Sequence, residues 1–203
     1  MRIITGLARG CKLKTPKGFD TRPTADRIKE SVFNILSPFI RETVVLDVFA
    51  GTGNLGLEAL SRGASSAVFI DQRAESIKVI EENAAHTHLE EKAKIIKGES
   101  LAVMRRLEQS GQRFSLVFCD PPYSKNLCQQ VLGFLAAGDL LEPQGLVVVE
   151  HAREDDLGGP WGDLLLIRNQ AYGSTTQVSI FKRDRETMKE AKPCGVYDVP
   201  DYL

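Results

Sequence analysis

Short apolar runs, most of them closed by an acid or a polar turn, recur along the greater part of the chain. Runs at 43–48, 66–71, 93–97, 115–119 and 145–150 read as strands, and helical periodicity at about 54–62, 73–87, 99–109 and 125–137 fills the intervals. Strands that are apolar along their whole length are buried on both faces. The alternation therefore predicts an α/β fold, a mostly parallel sheet with helices on either side. Gly63 is placed to close the first of these helices as a C-cap. Two more runs, at 163–170 and 175–181, are joined by Ala171-Tyr172-Gly173-Ser174 with no room for a helix, so the seven-stranded sheet should end in an antiparallel hairpin.

The pattern before residue 40 is different. Residues 2–15 alternate weakly around Gly6 and Gly10 and predict a small β-hairpin with basic side chains on its open face. A solvated edge whose lysines only block aggregation is the plainer alternative. Thr24 reads as the N-cap of a helix with Asp26 in its first turn, an apolar stripe of Ile28, Val32, Ile35 and Leu36, and a stop at Ser37-Pro38. Three segments result: a basic N-terminal hairpin and helix over 1–40, the main domain over 41–183, and a charged tail rich in breakers over 184–203, expected to lack fixed structure. There is no internal repeat and no low-complexity tract.

Composition narrows this only a little. The chain has 203 residues, 42% hydrophobic and 26% charged, enough for one well-buried domain and a small accessory element. The overall charge of −1 is unevenly spread: eight bases against three acids leave residues 1–30 at +5 and the rest at −6. A basic front on a mildly acidic body suggests a polyanion gripped at one end. Cys11, Cys119, Cys128 and Cys194 form no CxxC pair and no disulfide framework, and His86 and His88, two apart, face different ways on a helix. No metal is therefore expected. No apolar run is long enough to span a membrane, and Met1-Arg2-Ile3-Ile4 turns polar too soon for a signal peptide, so the chain reads as cytoplasmic. A monomer is the separate expectation for its assembly.

The candidate chemistry begins at Gly51-Thr52-Gly53-Asn54-Leu55-Gly56, a GxGxxG loop between a strand and a helix. Asp71 follows at the distance of an acid that holds a ribose diol, and by itself this would suit NAD. Asp47, just before the loop, argues otherwise. A carboxylate there repels a pyrophosphate and attracts the sulfonium and ammonium groups of S-adenosylmethionine, although an acid capping nearby N–H groups is the structural alternative. Asp71 is assigned to the ribose hydroxyls and Glu99 to an adenine amine. For Glu99, a first-turn acid favouring the helix dipole is the competing reading. Asp47, Gly51, Gly53, Asn54, Asp71, Gln72, Glu99 and Ser100 make up the candidate cofactor site.

Asp120-Pro121-Pro122-Tyr123 follows the fourth strand directly. Two prolines remove two N–H donors, stiffen the turn and leave carbonyls free to accept, with an aromatic ring beside them. An exocyclic amine can donate to Asp120 and a proline carbonyl while its base stacks on Tyr123, whereas a rigid turn with a packed Tyr is the alternative. The loop and this tetrapeptide together resemble the class I, S-adenosylmethionine-dependent amino-methyltransferases, whose fourth-strand motif is Asn or Asp, Pro-Pro and an aromatic.

Arg2-Ile3-Ile4, Gly10, Leu13, Arg22-Pro23-Thr24 and Glu30-Ser31-Val32-Phe33-Asn34-Ile35-Leu36 resemble more narrowly the bacterial family that methylates guanine N2 in small-subunit (16S) ribosomal RNA, over residues 1 to about 182. Cys11 stands where that family often has another base. The resemblance implies a Rossmann-like class I fold, S-adenosylmethionine as cofactor, ribosomal RNA or a small-subunit assembly particle as partner, and Asp120, Pro121, Pro122 and Tyr123 as catalytic residues. Arg2, Arg9, Lys12, Lys14, Arg22 and Arg27 would grip RNA, with the whole Arg22–Lys29 helix start on the phosphates. Three rivals stay open: an adenine-N6 methyltransferase of DNA or RNA, an NAD-dependent oxidoreductase, and a non-enzymatic ribosome-assembly factor.

Overall fold

The computed structural model describes residues 1–15, 23–122, 126–157 and 159–185, the side chains of 23–25 excepted. Arg22, Tyr123, the side chain of Thr24 and nearly all of the predicted tail lie outside those residues. In chain order the elements are α1 (Pro23–Leu36), β1 (Val44–Asp47), α2 (Asn54–Ser61), β2 (Ser66–Asp71), α3 (Ala74–His86), β3 (Ala93–Lys97), α4 (Ser100–Gln109), β4 (Phe114–Cys119), α5 (Leu127–Ala137), β5 (Leu141–Ala152), β6 (Leu164–Tyr172) and β7 (Thr176–Arg183). Every predicted strand and helix of the main domain is present, with ends moved by a few residues. His88 lies beyond the end of α3 in a left-handed conformation, so the two histidines do not share a helix.

The seven strands form one sheet in the order β3-β2-β1-β4-β5-β7-β6. β1 to β5 are parallel, and β7 runs antiparallel to both β5 and β6, as the short 171–174 link requires. The chain winds outward through β2 and β3, then returns to the other side of β1 with β4. That reversal opens a crevice beyond the carboxyl ends of β1 and β4, where ligands of such sheets bind. One apolar layer on each face covers the sheet: Phe33, Leu57, Phe69 and Phe118 belong to one, and Met104, Phe114, Leu132 and Val147 to the other.

The predicted N-terminal hairpin is present only in a shortened form, with Ile3 N–H donating to the Cys11 carbonyl and Gly10 N–H to the Ile3 carbonyl, both at 2.9 Å. Only one antiparallel bridge forms, Arg2 to Lys12, and no strand is present over 2–15. The amides that a longer hairpin would pair are taken instead by α2: Ile4 and Thr5 donate to the Glu58 carboxylate at 2.7 and 3.0 Å, and Ala8 donates to Ser61 Oγ at 3.0 Å. Gly6 has φ +93, and a Cβ there would lie 1.8 Å from the Ser61 carbonyl oxygen, so the close approach needs glycine. Ile3, Ala8 and Leu13 thereby join the same core as α1 and α2. The helix α1 starts at Pro23 rather than after Thr24, with proline at its first position, where the missing N–H costs nothing. Ile28, Val32 and Leu36 are buried as the stripe predicts. Phe33, outside that stripe, is buried as well and meets Phe118 of β4 with ring centroids 5.5 Å apart.

Candidate active site

A cleft of about 750 Å³ lies at the carboxyl ends of the parallel strands, roofed on one side by α1. Four acids reach it from the strand ends: Asp47 from β1, Asp71 from β2, Asp120 after β4, and Glu150 from β5. Gly51, Asn54, Gln72, Glu99, Ser100, Pro121 and Pro122 line it too, so the sequence candidates for cofactor and acceptor share one cavity.

The glycine loop is held from below by two of these acids. Gly56 N–H donates to Asp47 Oδ2 and Gly51 N–H donates to Asp71 Oδ2, both at 3.0 Å. Gly51 and Gly53 have φ +54 and +77, which the tight turn into α2 requires. At Gly56 a Cβ would lie 2.3 Å from the Phe69 ring, so this glycine lets α2 pack against β2. Gly53 is lined by Ile80 and Leu57 and does not line the cleft itself. Two loop amides are thus already engaged by carboxylates.

Electrostatics follow from this crowding of acids. Burial pushes the Asp47 carboxyl up to about 7, the Gly56 N–H bond partly offsetting it and Asp71 adding to it. The Asp120 carboxyl opens onto the cleft. The walls of the cleft and the neighbouring charges of Glu150 and Asp47 push it above the usual carboxylate range, an effect that the side chain's exposure to solvent tempers. Burial raises Glu150 likewise. Glu150 was absent from the sequence candidates, although it closes an apolar run as Asp47, Asp71 and Asp120 do, and that shared position is the signal that finds it. Beneath Asp120, Cys119 and Cys128 are free thiols that share a hydrogen bond, which together with burial pushes the Cys119 thiol up.

Several side chains do structural work that the sequence left open. Glu99 caps α4, its two carboxylate oxygens accepting from Leu101 N–H at 3.1 Å and Ala102 N–H at 2.8 Å, so the competing helix-end reading describes its present bonds. Ser100 Oγ donates to the Val48 carbonyl. Asp71 also accepts from Arg73 N–H at 2.8 Å. Lys29 belongs to the cleft wall and not to a phosphate-gripping surface. It is 2% exposed, and its Nζ reaches Glu58 Oε2 at 3.0 Å, Asn54 Oδ1 at 2.7 Å and the Arg2 carbonyl. Desolvation lowers its pKa against the opposing pull of Glu58. Four of the predicted RNA-gripping residues, Arg2, Arg9, Lys12 and Lys14, are exposed around the N-terminal loop, with Lys14 paired to Glu82 at 2.9 Å, and Arg27 is exposed on α1. Among the described residues no group of three or more His, Cys, Asp or Glu could hold a metal, and no helix is long and apolar enough to cross a membrane.

This arrangement has known relatives. A family model described as Conserved hypothetical protein 95 matches residues 1–182. The chain is 38% identical over 192 residues to the ribosomal RNA small subunit methyltransferase D of Escherichia coli, covering 94% of this chain and 93% of that protein. The chain belongs to the small subunit methyltransferase D family. The Haemophilus influenzae protein of the same name is 37% identical over 161 residues, 79% of this chain and 83% of that one. The solved structure of Escherichia coli yhhF, 34% identical, superposes on this member of the methyltransferase D family with a TM-score of 0.80, covering 92% of this chain and 99% of that one. The sheet order and the crevice at its reversal are those of the class I methyltransferase fold.

Proposed function

We propose that this protein transfers a methyl group from S-adenosylmethionine to the exocyclic N2 amine of a guanine in small-subunit ribosomal RNA. The observation that carries the reading is the acid-lined cleft, in which Asp47, Asp71, Asp120 and Glu150 surround a glycine loop whose Gly51 and Gly56 amides are already bound to carboxylates. A pyrophosphate would meet those charges with two fewer amides to hold it. A ligand bearing a sulfonium and an ammonium and no phosphate is complementary to the same surface. The residues present therefore fit S-adenosylmethionine, with Asp47 toward its cationic end, Asp71 and Gln72 toward the ribose, and Glu99 and Ser100 toward the adenine.

When bound, that cofactor supplies a methyl group on a positively charged sulfur. The chain's own residues must make a poor nucleophile competent, because the guanine N2 lone pair is conjugated with the ring. Asp120 accepts one amine hydrogen and the Pro121 carbonyl a second, which favours a more tetrahedral nitrogen with its lone pair free to attack. The surplus proton passes to an Asp120 carboxylate oxygen, the group already placed to accept from the amine. Tyr123, next along the chain, is assigned to stack on the base. Alignment of amine and methyl can contribute up to about 7–11 kcal/mol. Arg2, Arg9, Lys12, Lys14, Arg22 and Arg27 hold the RNA backbone, on naked RNA or on an assembly particle, and the protein acts as a monomer in the cytoplasm.

Calorimetric titration of the purified protein with S-adenosylmethionine and with NAD tests the cofactor assignment. Binding of the methyl donor alone supports it, and binding of NAD alone overturns it.

A further inference from the structure

The helix α1 is a wall shared by two cavities. Ile28, Lys29 and Val32 face the cleft, while Arg27, Glu30 and Asn34, further round the helix, join Arg168 and Gln170 of β6 around an open groove of about 520 Å³. Groove and cleft are near neighbours through the sheet as well. Gln170 pairs directly with Val178 of β7, and Val178 lines the cleft, so the two cavities are one strand spacing apart.

The polar groups of this groove are not spent on the fold. Gln170 Oε1 is buried and has no hydrogen-bond partner among the described residues, which is rare for a buried side-chain atom. Arg27, Arg168, Glu30 and Asn34 make no ion pair and no side-chain hydrogen bond among the described residues, whereas the neighbouring Ser31 hydroxyl is bonded to Tyr172 at 2.7 Å. The free groups are of both kinds, guanidinium donors beside carboxylate and amide acceptors. A simple anion would satisfy the arginines and confront Glu30 and Gln170 Oε1 with more lone pairs. An apolar partner would satisfy none of them. A nucleotide brings both halves, a phosphate for the guanidiniums and the N–H groups of a base or a ribose 2′-hydroxyl for the acceptors.

We propose that the groove between α1 and β6 seats a nucleotide of the RNA substrate that flanks the target guanine, with Arg168 on its phosphate and Gln170 on its base edge or 2′-hydroxyl. The groove then orients the strand so that the neighbouring base enters the cleft over Asp120. This rests on RNA being the substrate, as proposed above, and adds a contact that reads the nucleotide beside the target.

The test uses the full chain with small-subunit ribosomal RNA, both free and in assembly particles, from cells that lack this protein. Binding is followed at several salt concentrations and methyl transfer is measured separately. Gln170→Leu is expected to weaken RNA binding about tenfold with an unchanged salt slope, because the lost contact is uncharged. Arg168→Ala is expected to weaken it comparably and to lower the log–log salt slope by about 0.7–0.9. S-adenosylmethionine affinity and Tm should match wild type in both variants, showing an intact cleft and fold. Binding indistinguishable from wild type in both variants on both substrates overturns the proposal, and so does a defect confined to particles when wild type binds the free RNA, which would make the groove a protein contact. The two readings separate cleanly. Wild-type methylation with unaffected variants removes the groove alone, and absent wild-type methylation with weakened variant binding removes the methyl-transfer reading and keeps the groove.

Discussion

Replacing Asp47 by Asn removes one charge from the cleft and keeps an oxygen that can still accept the Gly56 N–H bond. A unit charge pair about 5 Å apart at an effective dielectric of about 20 interacts by about 3 kcal/mol. Part of that is offset by desolvation of both partners, so Asp47→Asn should bind S-adenosylmethionine about 10- to 100-fold more weakly at pH 8. The pH dependence is the sharper signature. With Asp47 at about 7 in the folded protein, about a tenth of the carboxyls are ionised at pH 6 and about nine-tenths at pH 8, so wild-type affinity should rise about tenfold across that interval with release of a proton. The stability of the ligand-free protein runs the other way. The folded pKa lies above the ordinary value of 3.8, so this group's contribution is fully present below about pH 4 and lost as pH climbs through 7. Asp47→Asn should therefore gain stability over wild type as pH rises. Isothermal titration at pH 6, 7 and 8, paired with thermal melts, reads both effects. Equal affinity of the two proteins at pH 8, or a wild-type affinity that does not change with pH, refutes the reasoning.

Asp120→Ala should keep S-adenosylmethionine binding and lose about 10²–10⁴-fold in turnover, measured by methyl transfer with saturating cofactor, because it removes the acceptor for the amine proton. Glu58→Ala strands the buried Lys29 and the Ile4 and Thr5 amides together. A loss of about 3–5 kcal/mol and a Tm drop on the order of 10 °C are expected by calorimetry. Replacing Lys12 and Lys14 together by Ala should weaken RNA binding and flatten its salt slope by about 1 or more, with Lys12 the larger contributor since Lys14 is already paired with Glu82.

The sheet was legible because its central strands are covered on both faces, which leaves them apolar from end to end. Helical connections made the strands parallel but do not say on which side of β1 the chain returns, so the reversal that creates the cleft came from the structure. β5 begins four residues earlier than its apolar run, at Leu141, because Phe114 pairs with Leu141 before the register shifts at Leu116 and Leu146. Glu142-Pro143-Gln144-Gly145 hides that start in the sequence. The N-terminal hairpin shrank to a single bridge for a reason no local pattern contains: Glu58 and Ser61, about fifty residues away on α2, take the amides of Ile4, Thr5 and Ala8. Lys29 misled for the same reason, since a lysine on a helix start reads as exposed until Glu58 is placed beside it. Asp47, Asp71 and Asp120 were readable as a set because each follows directly on an apolar strand. Glu150 sits at the end of Val147-Val148-Val149 in the same way, without a glycine or proline motif to draw attention to it.

Small-subunit ribosomal RNA from cells lacking this protein, both free and in small-subunit particles, can be incubated with the purified enzyme and S-adenosylmethionine carrying a labelled methyl group, then digested and its modified nucleosides mapped by mass. The cleft chemistry proposed for Asp120 and Pro121 predicts label in N2-methylguanosine at a single position. Label in N6-methyladenosine, or no label in either substrate, contradicts it.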